Sequence, residues 1–131
     1  MQIDKLALIF IRNRKLLVTV SKGKDVFYLP GGKRNGDETD EEALVREIKE
    51  EMSVDIIPES IQYFNTYEAQ AHGKPEGTTV RITCYIAEFN GILTPANEIE
   101  RIVWVDSSDA EKATVTGKII LEDLKSKNLI N

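Results

Sequence analysis

Glu47, Glu50 and Glu51 fall within five residues of one another, next to Arg46. Carboxylates grouped in this way serve as oxygen ligands for a hard divalent cation, as general acids or bases, or as plain solvated charge. From Asp37 to Glu51 there are eight acids and two bases, which leaves 14 acids against 15 bases elsewhere from totals of 22 and 17. The net charge of −5 thus belongs to one stretch of an otherwise near-neutral chain. That balance argues against a nucleic-acid groove binder and marks the stretch as the place to look for chemistry.

A helix must position these acids. Thr39 with Glu42 three residues later is a capping box, and Asp40 and Glu41 suit the positive end of a helix predicted over Asp40 to Met52. At about 100° per residue, Leu44, Ile48, Met52 and Val45 form its apolar face. Glu47, Glu50 and Glu51 form a stripe beside that face with Ala43, while Glu42, Lys49 and Arg46 point to solvent. The stripe lies in the last turns, where the dipole disfavours carboxylates by ~0.3–1 kcal/mol each. Salt bridges such as Glu42–Arg46 and Arg46–Glu50 contribute only ~0.3–0.5 kcal/mol each. Two carboxylates ~6 Å apart repel by about 3 kcal/mol at an effective dielectric of ~20. Helix formation alone does not explain the stripe; a divalent cation does, and an all-oxygen set favours Mg²⁺ or Mn²⁺ over zinc.

The loop feeding this helix begins Gly31-Gly32, where missing side chains let a carbonyl or a phosphate approach closely. Lys33 and Arg34 follow and would screen phosphate charge. A P-loop is excluded, because Gly36 precedes Asp37 and Glu38 rather than Lys and Ser or Thr, and the spaced ligands of an EF-hand are missing.

Around this segment the chain reads as alternating elements. Leu6–Ile11 and Leu16–Val20 form a predicted hairpin, Val26–Leu29 a third strand stopped by Pro30, and Ile61–Tyr67, Val80–Phe89 and Ile102–Val105 further strands. A closing helix carries Ile120, Leu121, Leu124 and Asn128 near one face. Strands between two helices predict an α/β sandwich. The 131 residues match one ordinary domain, spanning 1–131. The single Cys84 excludes an internal disulfide and makes a four-ligand zinc site a poor expectation. The apolar run Leu6–Ile11 is too short for a signal peptide or a membrane span, so the expected address is the cytoplasm.

The segment Gly32 to Val54 resembles the Nudix box. Gly32, Glu38, Arg46, Glu47, Ile48, Glu50, Glu51 and Val54 match its pattern, and Ser53 stands where the box ends in glycine. Asp37 also takes a place often held by glycine, with Gly36 one position earlier. Leu29-Pro30-Gly31 and the stretch from Glu98-Ile99-Glu100 to Trp104 are similar to MutT-like members. The resemblance implies a Nudix-like α/β/α sandwich with a mixed sheet between helices. It also implies hydrolysis of a nucleoside diphosphate linked to another moiety, dependent on Mg²⁺ or Mn²⁺.

By that resemblance Glu47, Glu50, Glu51 and Glu98, with the carbonyl of Gly32, hold the metal. Arg46 orients Glu47, Glu38 belongs to the outer shell, and Glu50, Glu98 or Glu100 is the general base. The proline associated with ADP-ribose members is absent near Ala69, and Tyr67 comes too early for the tyrosine of dinucleoside polyphosphate members. A (deoxy)nucleoside triphosphate cut to monophosphate and pyrophosphate remains the leading expectation. The alternatives are a nucleotide sugar or dinucleoside polyphosphate hydrolase and a non-catalytic nucleotide sensor. Gly31, Gly32, Lys33 and Arg34 are the expected phosphate contacts. Phe27, Tyr28, Tyr67 and Arg81 are candidates for a base pocket, although core or ordinary strand surface is the leading expectation for each. The expected partner is a small nucleotide, with no nucleic acid or membrane, and a homodimer is left open.

Overall fold

The computed structural model describes residues 1–131. In chain order its elements are β1 (Gln2–Ile9), β2 (Ile11–Arg12), β3 (Lys15–Ser21), β4 (Gly31–Gly32), α1 (Asp40–Met52), β5 (Asp55–Ile56), β6 (Gln62–Gln70), β7 (Thr79–Ile86), β8 (Phe89–Asn90), β9 (Ile99–Val105) and α2 (Val115–Ser126). β1 pairs in parallel with β7 and antiparallel with β4, and β6 closes the order β4-β1-β7-β6. A second sheet runs β2-β3-β9, all antiparallel, and β5 pairs with β8. Asn13 and Arg14 turn the β2–β3 hairpin with φ of 53° and 61°, the left-handed pair that matches strand twist.

Residues alternate across the β1 strand, so Leu6 and Leu8 pack under α1 with Leu44, Ile48 and Met52, whereas Ala7 and Ile9 pack under α2 with Ile120, Leu121 and Leu124. Two helices on opposite faces of mixed strands make the expected α/β sandwich. No helix is long and apolar enough to cross a membrane.

Several boundaries differ from the sequence reading. Val26–Leu29 is no strand: it makes only the isolated bridges Tyr28–Thr19 and Phe27–Ala113. Tyr28 exchanges both backbone hydrogen bonds with Thr19, and Pro30 then accepts from Leu8 N, so the segment crosses from β3 to β1 instead of following either. The long strand expected to Phe89 stops at Ile86, and Phe89 pairs in β8 with Ile56. α2 ends at Ser126, with Asn128 beyond it at φ 60°.

The buried face of α1 is also rotated from the expected one. Ala43, Leu44, Ile48, Glu51 and Met52 are buried, while Val45 is half-buried. The rotation draws Glu51 and part of Glu47 inward, because the loop holding Gly31 covers that side of the helix, while Glu50 stays exposed.

Candidate active site

Both ends of α1 are capped by side chain and backbone. Thr39 and Glu42 form the predicted capping box, and Ser53 adopts the left-handed conformation at φ 63° with its N–H on Lys49 O. Within this frame the two glycines have different tasks. A Cβ on Gly31 would lie 2.1 Å from Leu6 O, and its φ of +148° is closed to other residues. A Cβ on Gly32 would lie 2.6 Å from the Glu47 carboxylate. The first glycine lets the loop pair with β1; the second leaves room for an acid.

Arg46 is the centre of the cluster, not a solvent-facing residue as its helical position implied. Its Nε and Nη2 donate to the two oxygens of Glu38 at 2.8 Å each, Nη1 donates to Glu47 at 2.8 Å and to Glu50 at 2.9 Å, and Nη2 reaches Lys33 O at 2.9 Å. This guanidinium, with the Asn35 N–H, holds the Glu38 carboxyl down at about 2. The expected Glu42–Arg46 pair does not form, since Glu42 is occupied by the cap. Much of the repulsion assigned to the stripe is therefore screened from within the protein.

Glu51 escapes that screening. It is 7% exposed, and its one protein partner is the Gly31 N–H, 3.0 Å from Oε1. Burial pushes its carboxyl up to about 8, with Glu47 and Glu98 adding repulsion. Burial also raises Glu47, against the pull of Arg46. Neither Glu51 nor Glu98 forms an ion pair. No three acids are drawn into ready coordination geometry, because Arg46 and Gly31 hold the nearest oxygens. The available donors fit a hard divalent cation nonetheless: every one is an oxygen, a buried carboxylate lacks a cation, and Gly32 leaves the space beside Glu47 open.

These groups open into a cavity of about 800 Å³ between the splayed β1 and β3 strands, bounded by β7 and the hairpin at Ala71–Lys74. Gly31, Gly32, Lys33, Glu47, Glu51 and Glu98 line it, as the sequence reading required of a common site. Glu50 lies outside the lining and stays on Arg46.

Of the other expected contacts Tyr28 lines the cavity, and the rest are elsewhere. Arg34 is committed to Asp40 at 2.5 Å and to Asp4 at 3.3 Å. Phe27 is buried in the α2-side core and is absent from the cavity wall. Tyr67 is buried in the same core with its hydroxyl donating to Asp123 at 2.5 Å. Arg81 is exposed and in register with Asp4, on the sheet face opposite the cavity-lining Val80 and Ile82. Glu100 is exposed beside Arg101 and away from the cavity, displaced by the irregularity where Ser21 pairs with Ile99. Alternation or register along a strand decides the cases of Tyr67, Arg81 and Glu100, packing and ion pairing those of Phe27 and Arg34, and a single residue's type carries no sign of either.

Two features of the wall escaped the sequence reading. Lys5 lines the cavity, and burial beside Lys33 lowers its pKa. Its signal was a lysine alternating with Ile3 and Ala7 on one strand face. Thr114 and Thr116, from the start of α2, line it as well, and nothing local distinguishes them from ordinary helix-start residues.

The NUDIX domain model matches residues 4–124. No curated protein matches the chain. Among solved structures, the Escherichia coli ORF135 protein superposes with a TM-score of 0.74 at 22% identity, covering 97% of this chain and 91% of that one. A candidate nudix hydrolase family member from Chromobacterium violaceum does so at 0.71 with 30% identity, covering 96% and 78%. A MutT NUDIX hydrolase from Burkholderia pseudomallei gives 0.73 at 20% identity, covering 93% and 97%. With the family model spanning nearly the whole chain and Glu47 and Glu51 of its pattern at one cavity, this protein belongs to the Nudix hydrolases, enzymes that cleave nucleoside diphosphate-linked substrates.

Proposed function

We propose that this protein is a MutT-like pyrophosphohydrolase that cuts a (deoxy)nucleoside triphosphate into the monophosphate and pyrophosphate with Mg²⁺ or Mn²⁺. The observation that carries this reading is the cavity itself, with Glu47, Glu51 and Glu98 grouped around the side-chain-free Gly31–Gly32 backbone and Lys5 and Lys33 nearby. Its volume of about 800 Å³ suits a nucleotide. The B. pseudomallei structure described as a MutT NUDIX hydrolase shares this fold, which is compatible with the MutT-like reading.

Glu47, Glu51 and the Gly32 carbonyl are the groups that would hold the cation, which leaves Glu98 free, and Glu50 joins them only by leaving Arg46. When bound, the cation supplies charge neutralisation at the phosphates and lowers the pKa of water. Lys5 and Lys33, neither of them ion-paired, bind phosphate oxygens. Arg46 is a positioning residue: by gripping Glu38 at both oxygens it fixes the loop, and through Nη1 it orients Glu47. Glu98 takes the proton of the attacking water. It faces the cavity without an ion-pair partner, whereas Glu50 is held by Arg46 and Glu100 points away.

A panel of nucleoside triphosphates, nucleotide sugars and dinucleoside polyphosphates, each with Mg²⁺ or Mn²⁺, tests the reading. The expected products from a triphosphate are monophosphate and pyrophosphate, and reaction in ¹⁸O-labelled water shows which of them gains the oxygen. Orthophosphate with nucleoside diphosphate would overturn the site of cleavage. Turnover confined to the sugars or dinucleotides would overturn the substrate class.

A further inference from the structure

A strand at the rim of a sheet leaves every second N–H and C=O without a partner, and native proteins guard such edges with bulges, prolines or lysines. The rim strands β2, β4, β5 and β8 are two residues each, so only β6 and β9 expose long edges. β6 is guarded: its ladder is interrupted between Tyr63 and Asn65, and Asn65 Oδ1 takes the Thr66 N–H at 2.9 Å. β9 has no such guard. Its irregularity lies at the end where Ser21 pairs with Ile99, and from Arg101 to Val105 it runs in unbroken register with β3. It contains neither proline nor lysine, and its two charges, Glu100 and Arg101, sit together beside the irregularity.

The neighbouring strand shows which groups are bare. Leu17 N donates to Phe10 O, and Thr19 exchanges both hydrogen bonds with Tyr28, so these residues turn their backbone away from β9. Trp104 and Ile102 stand opposite them. Opposed residues of an antiparallel pair either exchange both bonds or both point away. The N–H and C=O of Ile102 and Trp104 therefore point out of the sheet, where no strand meets them. Both residues are only half-buried, so nothing seals this edge.

We infer that β9 is the docking edge for a second copy of this chain, which adds its own β9 antiparallel about a two-fold axis at Val103. The five residues from Arg101 to Val105 are complementary to themselves in that register. Ile102 falls opposite Trp104 of the second copy, and Trp104 opposite Ile102, so the outward N–H and C=O groups of all four residues pair. Ile102 and Trp104 share the α1-side face, which sets a β-branched side chain against an aromatic one on each side of the axis. On the other face Val103 meets its own copy, and Arg101 meets Val105. Just past the ladder Glu100 approaches Asp106 of the second copy, whose charge Lys15 already holds at 2.9 Å in each chain. The product is one continuous sheet in the order β2-β3-β9-β9-β3-β2. A ladder this short makes a small interface, so the dimer is weak and forms with rising concentration.

Amide hydrogen exchange read by NMR on the unmodified chain, at ~20 μM and ~1 mM, tests the edge directly. The Ile102 and Trp104 amides should exchange roughly tenfold more slowly at the higher concentration, whereas those of Val103 and Val105, already bonded to β3, should be protected at both. Cross-linking tests the register. Residues at a non-hydrogen-bonded position on the axis lie ~4.5 Å apart between Cα atoms, so Val103→Cys should join to its own copy under mild oxidation. Arg101→Cys, ~14 Å from its copy in this register, should not. Cys84 is buried and does not compete. Sedimentation showing a monomer up to ~1 mM would overturn the inference. A dimer whose added protection falls on amides other than Ile102 and Trp104 would overturn the choice of edge. Cross-linking of Arg101→Cys in preference to Val103→Cys would overturn the two-fold at Val103.

Discussion

Glu51→Gln isolates the cost of burying the one acid that Arg46 does not reach. Glutamine keeps an oxygen for the Gly31 N–H and removes only the charge. With the carboxyl at about 8 in the fold against an ordinary 4.5, the folded state binds more protons than the unfolded chain throughout that interval. Stability must therefore fall as pH rises between the two values. Integrating the linkage relation gives a cost for Glu51 of about 1 kcal/mol at pH 5 and about 4 kcal/mol at pH 8. Glu38, lowered to about 2, acts in the opposite sense and only below the ordinary 4.5, so it leaves the window clear. Metal-free wild type and Glu51→Gln, melted in chelator across this range, should separate by roughly 10 °C more at pH 8 than at pH 5. Parallel profiles would refute the argument that burial of an uncompensated charge dominates at Glu51. Repeating the melts with Mg²⁺ or Mn²⁺ adds a control, since the cation should close much of the gap from the wild-type side.

Saturating divalent cation, ~100-fold above its dissociation constant, should stabilise wild type by about 2.7 kcal/mol, and a melting temperature indifferent to millimolar Mg²⁺ and Mn²⁺ would count against the site. Glu98→Gln should lower turnover by ~10²-fold or more with the fold intact, while Glu100→Gln stays within about twofold; the reverse ranking would move the base to Glu100. Gly32→Ala should fold but displace Glu47 and lose most turnover, whereas Gly31→Ala drives a Cβ into Leu6 O and should lose ~3 kcal/mol or more, which denaturant titration of both would compare. Ser53→Gly relieves the left-handed strain but gives up the Ser53 Oγ bond to Thr94 O at 3.0 Å, so its stability should stay within ~0.5 kcal/mol of wild type.

The Arg46 network gives the metal-free protein a counter-charge for its own site. One guanidinium spans Glu38, Glu47 and Glu50, so three acids of the pattern are held close together before any cation arrives. The bidentate grip on Glu38 also ties the exposed loop after Gly32 to the middle of α1. A lysine at this position has neither the fork nor the five donors needed for that arrangement.

Local rules determined much of this protein from sequence alone. The capping box at Thr39, the two-sided alternation of Leu6, Ala7, Leu8 and Ile9, and the spacing of Glu38, Arg46, Glu47, Glu50 and Glu51 are all set within a few residues of chain. They sufficed for the sandwich and for the family. Tertiary structure decided which way side chains face once strands pair. It turned Arg34 to Asp40 and Tyr67 to Asp123, sent Arg81 to the far face of the sheet, and brought Lys5 into the cavity. It also rotated α1 enough to bury Glu51 and to aim Arg46 at its neighbouring acids. The physical reason is that strand register and helix rotation answer to packing summed over the whole core. A shift of one residue or a fraction of a turn exchanges wall for surface without altering any local signal.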